Sequence, residues 1–308
     1  MTHFSDAETI TANPASAADL DPAAGADNAQ SSGKPLIIFS HGNSFPASTY
    51  RVLFKSLESR GFTVASIEKF GHDPAYPVTS NWPHLVQQLA DFTAQQVAHY
   101  GQPAFLVGHS LGGFLSLMCA SGHAAPGGKP LRGVLLLDSP LIGGWRAAAL
   151  SVAKRARLVG SISPGAVSQR RKNQWLDRQQ VFEHFRSKKA FAQWDEQVLR
   201  DYIEHGTHDA PAGAENQRLL SFDRDIETSI YNTLPHNLDR MISTSPPQCP
   251  VAFIGGRQSR EMRQVGMSLT EKVTLGRLMT LDGSHLFPME KPQATAAAVE
   301  ASLLNMMG

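Results

Sequence analysis

The sequence predicts an α/β fold, a mostly parallel sheet flanked by helices, with an inserted, mainly helical segment. Three observations carry that reading. From Pro35 onward short apolar runs alternate with amphipathic stretches, the pattern of a parallel sheet covered on both faces. One of those runs, Ala104-Phe105-Leu106-Val107, leads directly into Gly108-His109-Ser110-Leu111-Gly112. Finally, residues 139–248 separate two of the apolar runs, whereas structureless connections in compact domains rarely exceed ~15 residues.

Taken in chain order, residues 1–33 are rich in Ala, Asp, Ser, Thr and Pro and lack a basic start, an apolar core or a helical period. They read as a disordered tail. Leu36–Ser40 is the first expected strand, followed by a helix with Tyr50, Leu53, Phe54 and Leu57 at helical spacing that stops at Gly61. Phe62–Ile67 is the second strand. A second helix presents Trp82, Leu85, Leu89 and Phe92 on one face and is broken at Gly101-Gln102-Pro103, just before the run leading to Ser110. Further strands are expected at Leu131–Leu137, Pro250–Ile254 and Val273–Leu281, and a helix from Pro292, with Ala296, Val299, Leu303 and Leu304, closes the chain. The organisation is thus a tail (1–33), a first core part (34–138), a helical cap or lid insertion (139–248) and a second core part (249–308). Inside the cap, Leu176–Phe191, Trp194–Tyr202 and Asp223–Leu238 read as helices.

An apolar fraction of 42% in 308 residues is ample for a packed core, and a formal charge of +1 gives no global attraction for nucleic acid or an anionic membrane. No stretch approaches the ~20 uninterrupted apolar residues of a membrane span. Cys119 and Cys249 sit in apolar surroundings and read as two reduced, buried thiols, which fits a cytoplasmic setting. Charge is uneven within the cap: bases such as Arg146, Lys154, Arg171 and Arg178 fill its first half, acids such as Glu204, Asp209, Glu215 and Glu227 its second. The expectation is that the halves pair with each other at the surface.

Ser110 stands where a buried strand must turn sharply into a helix, flanked by glycines because the chain folds back too tightly for a Cβ. Such a turn presents the hydroxyl at its tip. A serine hydroxyl is a weak nucleophile near neutral pH and needs a base, which in turn needs an orienting partner. His285 is the candidate base, directly after the last expected strand in Asp282-Gly283-Ser284-His285. For the acid, two carboxylates compete. Asp138 ends a wholly apolar strand, where a carboxylate requires a specific partner, and is preferred. Glu261 is the alternative; otherwise it pairs with Arg257, Arg260 or Arg263 around it. His41 is expected to be structural and His109 to point away from Ser110. Phe45, beside Pro46, is a candidate pocket residue, and most cap aromatics (Trp145, Trp175, Phe182, Phe185, Phe191, Trp194) are expected in the cap's own core. Histidines and carboxylates do not fall at metal-ligand spacing, so no metal or organic cofactor is expected.

Together these residues resemble the α/β-hydrolase superfamily from about Lys34 to the C-terminus. His41-Gly42 matches its oxyanion motif, Gly108–Gly112 its nucleophile elbow, and Gly283-x-His285 followed by Glu290-x-Pro292 its base loop. The resemblance implies an α/β-hydrolase fold, and oxyanion donors at the backbone N–H groups of Asn43 and Leu111. It also implies a carboxylesterase-like serine hydrolase acting on a small-molecule ester or related acyl substrate, with an apolar acyl part, through an acyl-serine intermediate. A carbon-carbon bond hydrolase or a thioesterase would use the same residues, and a non-catalytic ligand-binding member of the fold is the rival from another class. The chain departs from the common pattern in having no aspartate shortly after the penultimate strand. Asp138 resembles the alternative acid position of branches such as the haloalkane dehalogenases.

Overall fold

The computed structural model describes residues 34–122, 131–143, 165–211 and 218–308. The expected tail lies outside them, as do Trp145, Arg146, Lys154 and Glu215. Strand β1 (Leu36–Ser40) leads through a 3-10 turn, Ala47–Tyr50, into α1 (Arg51–Ser59), and β2 (Thr63–Ser66) follows. Helix α2 (Pro83–Tyr100) starts on a proline, whose missing N–H is not needed there, and stops at Gly101, which takes a left-handed φ of 66°. Then come β3 (Ala104–His109), α3 (Leu111–Gly122) and β4 (Gly133–Leu137).

The long connection after β4 contains α4 (Gly165–Arg170), β5 (Gln174–Trp175), α5 (Arg178–Arg186), α6 (Glu196–Gly206), β6 (Thr207–Asp209), β7 (Arg218–Leu220), α7 (Arg224–Asn232) and α8 (Leu238–Thr244). It is mainly helical as expected, with a three-stranded antiparallel sheet, β5-β7-β6, in addition. Those strands are too short to show a period of two in the sequence. The side chains of Asp177, Asp195 and Asp223 cap α5, α6 and α7, so part of the acidic bias is helix-start chemistry. The remainder includes pairs between the halves, Arg171 with Glu227 and Arg178 with Glu204, both at 2.7 Å.

The core resumes with β8 (Val251–Gly256), α9 (Arg260–Val265), α10 (Ser268–Thr274), β9 (Leu278–Leu281), α11 (Phe287–Glu290) and α12 (Pro292–Met307). The last strand is shorter than Val273–Leu281: Val273 and Thr274 finish α10, and Leu275 and Gly276 turn the chain with φ of 50° and 83°.

The six-stranded sheet has the order β2-β1-β3-β4-β8-β9, all parallel. Its central strands are buried along their whole length, whereas edge strand β9 alternates between exposed and half-buried. On one face Ile37, Phe39, Val107 and Leu135 pack with Leu53 of α1 and Val299 and Leu303 of α12. On the other, Ile38, Leu106 and Leu136 pack with Leu85 and Leu89 of α2 and Leu115 of α3. Register pairs Ser40 with Gly108, His109 with Leu137, Leu137 with Ile254, and Gly256 with Leu281. The carboxyl ends are therefore nearly flush, and the segments following β1, β3, β4, β8 and β9 leave from one edge. Among the described residues no helix is long and apolar enough to cross a membrane.

The start of α3 packs tightly against β1. A Cβ on Gly112 would stand 2.0 Å from the Ser40 carbonyl oxygen, and one on Gly108 2.1 Å from that of Gly112. Because both obstacles are backbone, Gly112→Ala is expected to cost ~3 kcal/mol or more; urea unfolding within 1 kcal/mol of the parent would contradict this packing.

Candidate active site

The turn from β3 into α3 holds Ser110 at φ 53°, a left-handed conformation that non-glycine residues adopt only when their surroundings enforce it. The enforcement is visible. The Ser110 N–H donates to the Leu137 carbonyl at 3.0 Å, and its own carbonyl accepts from Gly113 N–H at 3.1 Å and Ser139 Oγ at 2.9 Å. The hydroxyl is thereby aimed away from the sheet, and His285 Nε2 lies 3.0 Å from it.

His285 reaches that position from the loop between β9 and α11. Its Nδ1 is 2.7 Å from Asp138 Oδ2. An ionised carboxylate only accepts, so the proton sits on Nδ1 and leaves Nε2 as the acceptor for the Ser110 hydroxyl. Asp138, directly after β4, is fully buried and also left-handed, with φ 43°. It accepts from Gly256 N–H at 2.7 Å and Ser259 Oγ at 2.6 Å as well. Burial pushes its carboxyl up, but the bonds from His285, Ser259 and Gly256 outweigh this and hold it below the usual carboxylate range. Glu261 stands at the mouth, half-exposed, with Oε2 3.8 Å from His285 Nδ1. Its expected pairing with neighbouring arginines is not among the ion pairs of the described residues. For His285, burial favours the neutral ring, but the hydrogen bond and charge of Asp138, with the charges of Glu261 and Glu290, raise its pKa above the ordinary 6.5.

Asn43 and Leu111, the two expected oxyanion donors, are buried on either side of the serine. Among the described residues, neither backbone N–H enters a backbone hydrogen bond around the turn. Behind them runs a second line of contacts. Gly42 N–H donates to the Tyr50 hydroxyl at 3.0 Å, Tyr50 is 2.7 Å from His109 Nδ1, and His109 Nε2 is 2.9 Å from the His285 carbonyl. The carbonyl end fixes every proton: His109 donates from Nε2, and the tyrosine donates to Nδ1. Burial lowers the His109 pKa to about 3, so this ring stays neutral. Both ring nitrogens of His109 are thus committed to Tyr50 and to the His285 carbonyl. His41 is structural too, its Nδ1 donating to the Gly42 carbonyl and its Nε2 accepting from Phe70 N–H.

The serine opens into a cleft of about 820 Å³. Phe45 and Leu286 supply apolar wall, and Lys189, Gln193 and Tyr231 of the β4–β8 connection face it. Trp175, Phe185 and Trp194 are instead buried in the core. Three further residues hold part of the site: Ser259, to which the sequence assigns no role, Tyr50, legible there only as a helix-face residue, and Glu290, legible only as part of the base-loop motif. Ser259 stands in the stretch after β8 that carries no aspartate. Glu290 accepts from both the N–H and the hydroxyl of Ser284 and so shapes the loop before His285. Asp138, Glu261 and His285 are also the one group of metal-ligating side chains found close together among the described residues, within 4.8 Å of one another. Both oxygens of Asp138 are, however, already taken by hydrogen bonds.

Residues 37–298 match the model of the Alpha/beta hydrolase family. A monoglyceride lipase homolog of Monkeypox virus is 27% identical over 141 residues, covering 43% of this chain and 48% of that protein; the chain thus spans about half the length of this curated relative. Among solved structures, an E-2-(acetamidomethylene)succinate hydrolase aligns with a TM-score of 0.64 at 21% identity, over 87% of this chain and 91% of that one. The thioesterase domain from the curacin biosynthetic pathway aligns with the same TM-score at 18% identity, over 87% and 91%. At such identities these two likenesses show the fold.

Tyr50→Phe removes the hydroxyl from the buried line and leaves Gly42 N–H and His109 Nδ1 without partners, which is expected to cost ~1–3 kcal/mol. Denaturant unfolding of the variant checks this, and an unchanged midpoint would count against the assigned protons.

Proposed function

The chain belongs to the alpha/beta hydrolase family, and from that premise we propose that it is a serine hydrolase cleaving a carboxylic ester or related acyl substrate. Ser110 Oγ attacks the carbonyl carbon while His285 Nε2 takes its proton, and the electron pair of the C=O bond moves onto oxygen. The N–H groups of Asn43 and Leu111 stabilise that oxyanion, each worth ~3 kcal/mol in the transition state. Collapse expels the leaving group, protonated by His285, and leaves an acyl-serine. Water, deprotonated by His285, then attacks the acyl carbon and restores the serine. Asp138 holds the Nδ1 tautomer and stabilises the imidazolium formed at each transfer.

The observation that carries this reading is the line of hydrogen bonds from Ser110 through His285 to Asp138, at 3.0 and 2.7 Å. An ester is favoured by the apolar wall of Phe45 and Leu286 and by the partial likeness to a lipase homolog. Residues 139–248 act in this reading as a cap, since Lys189, Gln193 and Tyr231 line the cleft and would limit the access of water to it.

Hydrolysis of p-nitrophenyl esters from acetyl to dodecanoyl tests the proposal. Ser110→Ala is expected to lower kcat at least ten-thousand-fold, Asp138→Asn by roughly the same order, and Glu261→Gln by less than tenfold. Equal turnover by the parent and Ser110→Ala would sink the reading, and a collapse confined to Glu261→Gln would transfer the acid role. Since only neutral His285 accepts the serine proton, kcat/KM falls as pH drops through its pKa, which lies above 6.5. Removing the Glu261 charge withdraws one of the contributions raising that pKa. The acidic limb of Glu261→Gln is therefore expected at lower pH than in the parent, and a shift to higher pH would contradict the electrostatic account.

A further inference from the structure

We infer that Glu227, on α7 of the insertion, is a positioning residue for the oxyanion donor Asn43, so that the insertion helps form the oxyanion hole as well as covering the cleft. The inference rests on the proposed role of Asn43. Glu227 is almost wholly buried and its carboxylate is fully engaged: Oε2 accepts from Arg171 at 2.7 Å, and Oε1 from Ser168 Oγ at 2.9 Å and from Ser44 Oγ. Its backbone carbonyl accepts from Asn43 Nδ2 at 3.1 Å. One turn along α7, Tyr231 lies beside Ser44 and Asn43 as well. A single helix of the insertion therefore grips two consecutive residues of the segment after β1.

That segment needs a grip. Ser44 has φ 79°, a conformation a serine does not hold unaided, and its strain is next in sequence to the amide that receives the oxyanion. Phe45 is held from the same side, with ring centroids 5.4 Å from Trp194 and 5.7 Å from Tyr202. Arg171 ties the two grips together, since its second terminal nitrogen donates to the Tyr202 hydroxyl at 2.8 Å. Asn43, Ser44 and Phe45 are thus fastened to the insertion through their side chains, while the Phe45 N–H closes a turn on the Gly42 carbonyl at 3.2 Å. A carboxylate buried this deeply has few ways to rearrange without leaving Arg171 unpaired, so the grip is stiff. Stiffness there fixes where the Asn43 N–H points, and an oxyanion donor displaced by a fraction of an ångström loses much of its effect.

Two variants of the full chain separate positioning from folding. Ser44→Gly removes the hydroxyl but relieves the positive φ, which offsets the extra backbone entropy glycine loses on folding; Glu227→Gln keeps the shape and removes the charge. With p-nitrophenyl butyrate, each is expected to lower kcat by ~10-fold or more while KM stays within about twofold, because the oxyanion forms only in the transition state. An alkyl trifluoromethyl ketone, whose adduct on Ser110 carries the oxyanion, should bind both variants about tenfold more weakly. The inference is overturned if Ser44→Gly keeps the parent's kcat and ketone affinity, or if its kcat and KM change only in step with lost thermal stability. Failure of the parent to react with a fluorophosphonate or to hydrolyse any ester would overturn the serine-hydrolase reading itself, and the inference with it.

Discussion

A carboxylate buried without exposure to water must find donors for both oxygens, and at Asp138 this requirement organises the edge of the sheet. Gly256 N–H at the end of β8, the Ser259 hydroxyl just beyond it and the His285 ring after β9 meet one side chain at the end of β4. The uncompensated burial of such a charge would cost several kcal/mol. Neither segment can therefore drift without exposing that cost, and the position of His285 relative to Ser110 follows from it. Ser259, in the segment after β8, donates its hydroxyl to the same carboxylate oxygen that faces His285.

Three residues around the cleft, Ser44, Ser110 and Asp138, hold left-handed conformations without being glycine. Each follows the carboxyl end of one of three adjacent strands, β1, β3 and β4. Strain of this sort costs ~1–3 kcal/mol per residue and persists only where the surroundings over-determine the backbone. The buried central strands supply that determination for Ser110 and Asp138 through the Leu137 and Ile254 carbonyls, which accept their N–H groups. Ser44, farther from its strand, depends on side chains of the insertion. Strain is thus supported from the sheet on one side of the cleft and from the insertion on the other.

Two histidines whose rings lie 5.1 Å apart are driven to opposite charge preferences. His285 faces two carboxylates and is pushed toward the protonated form, while His109, buried with a tyrosine and a carbonyl as partners, is held neutral. The difference suits their places. A ring that exchanges protons needs a pKa near the working pH, and a ring that fixes a loop needs a donor and an acceptor that never change. His41 follows the second pattern, with burial lowering its pKa to about 4.

The sheet and the serine turn are legible in the chain alone, because both rest on local causes. Apolar runs of strand length, the two glycines that no larger residue can replace, and a histidine after the last strand are legible without knowing what touches what. The errors of sequence alone are equally local: Val273 and Thr274 have strand-like side chains but finish a helix, and strands as short as β5–β7 leave no period to read. Asp138 against Glu261 was a different matter, since both carboxylates fit the pattern and only the fold sets one at 2.7 Å and the other at 3.8 Å from His285. The contacts of Tyr50 with His109, and of Glu227 with Ser44, join residues 59 and 183 positions apart. Such partners are selected by the three-dimensional need to satisfy buried polar groups, and no spacing along the chain records that need.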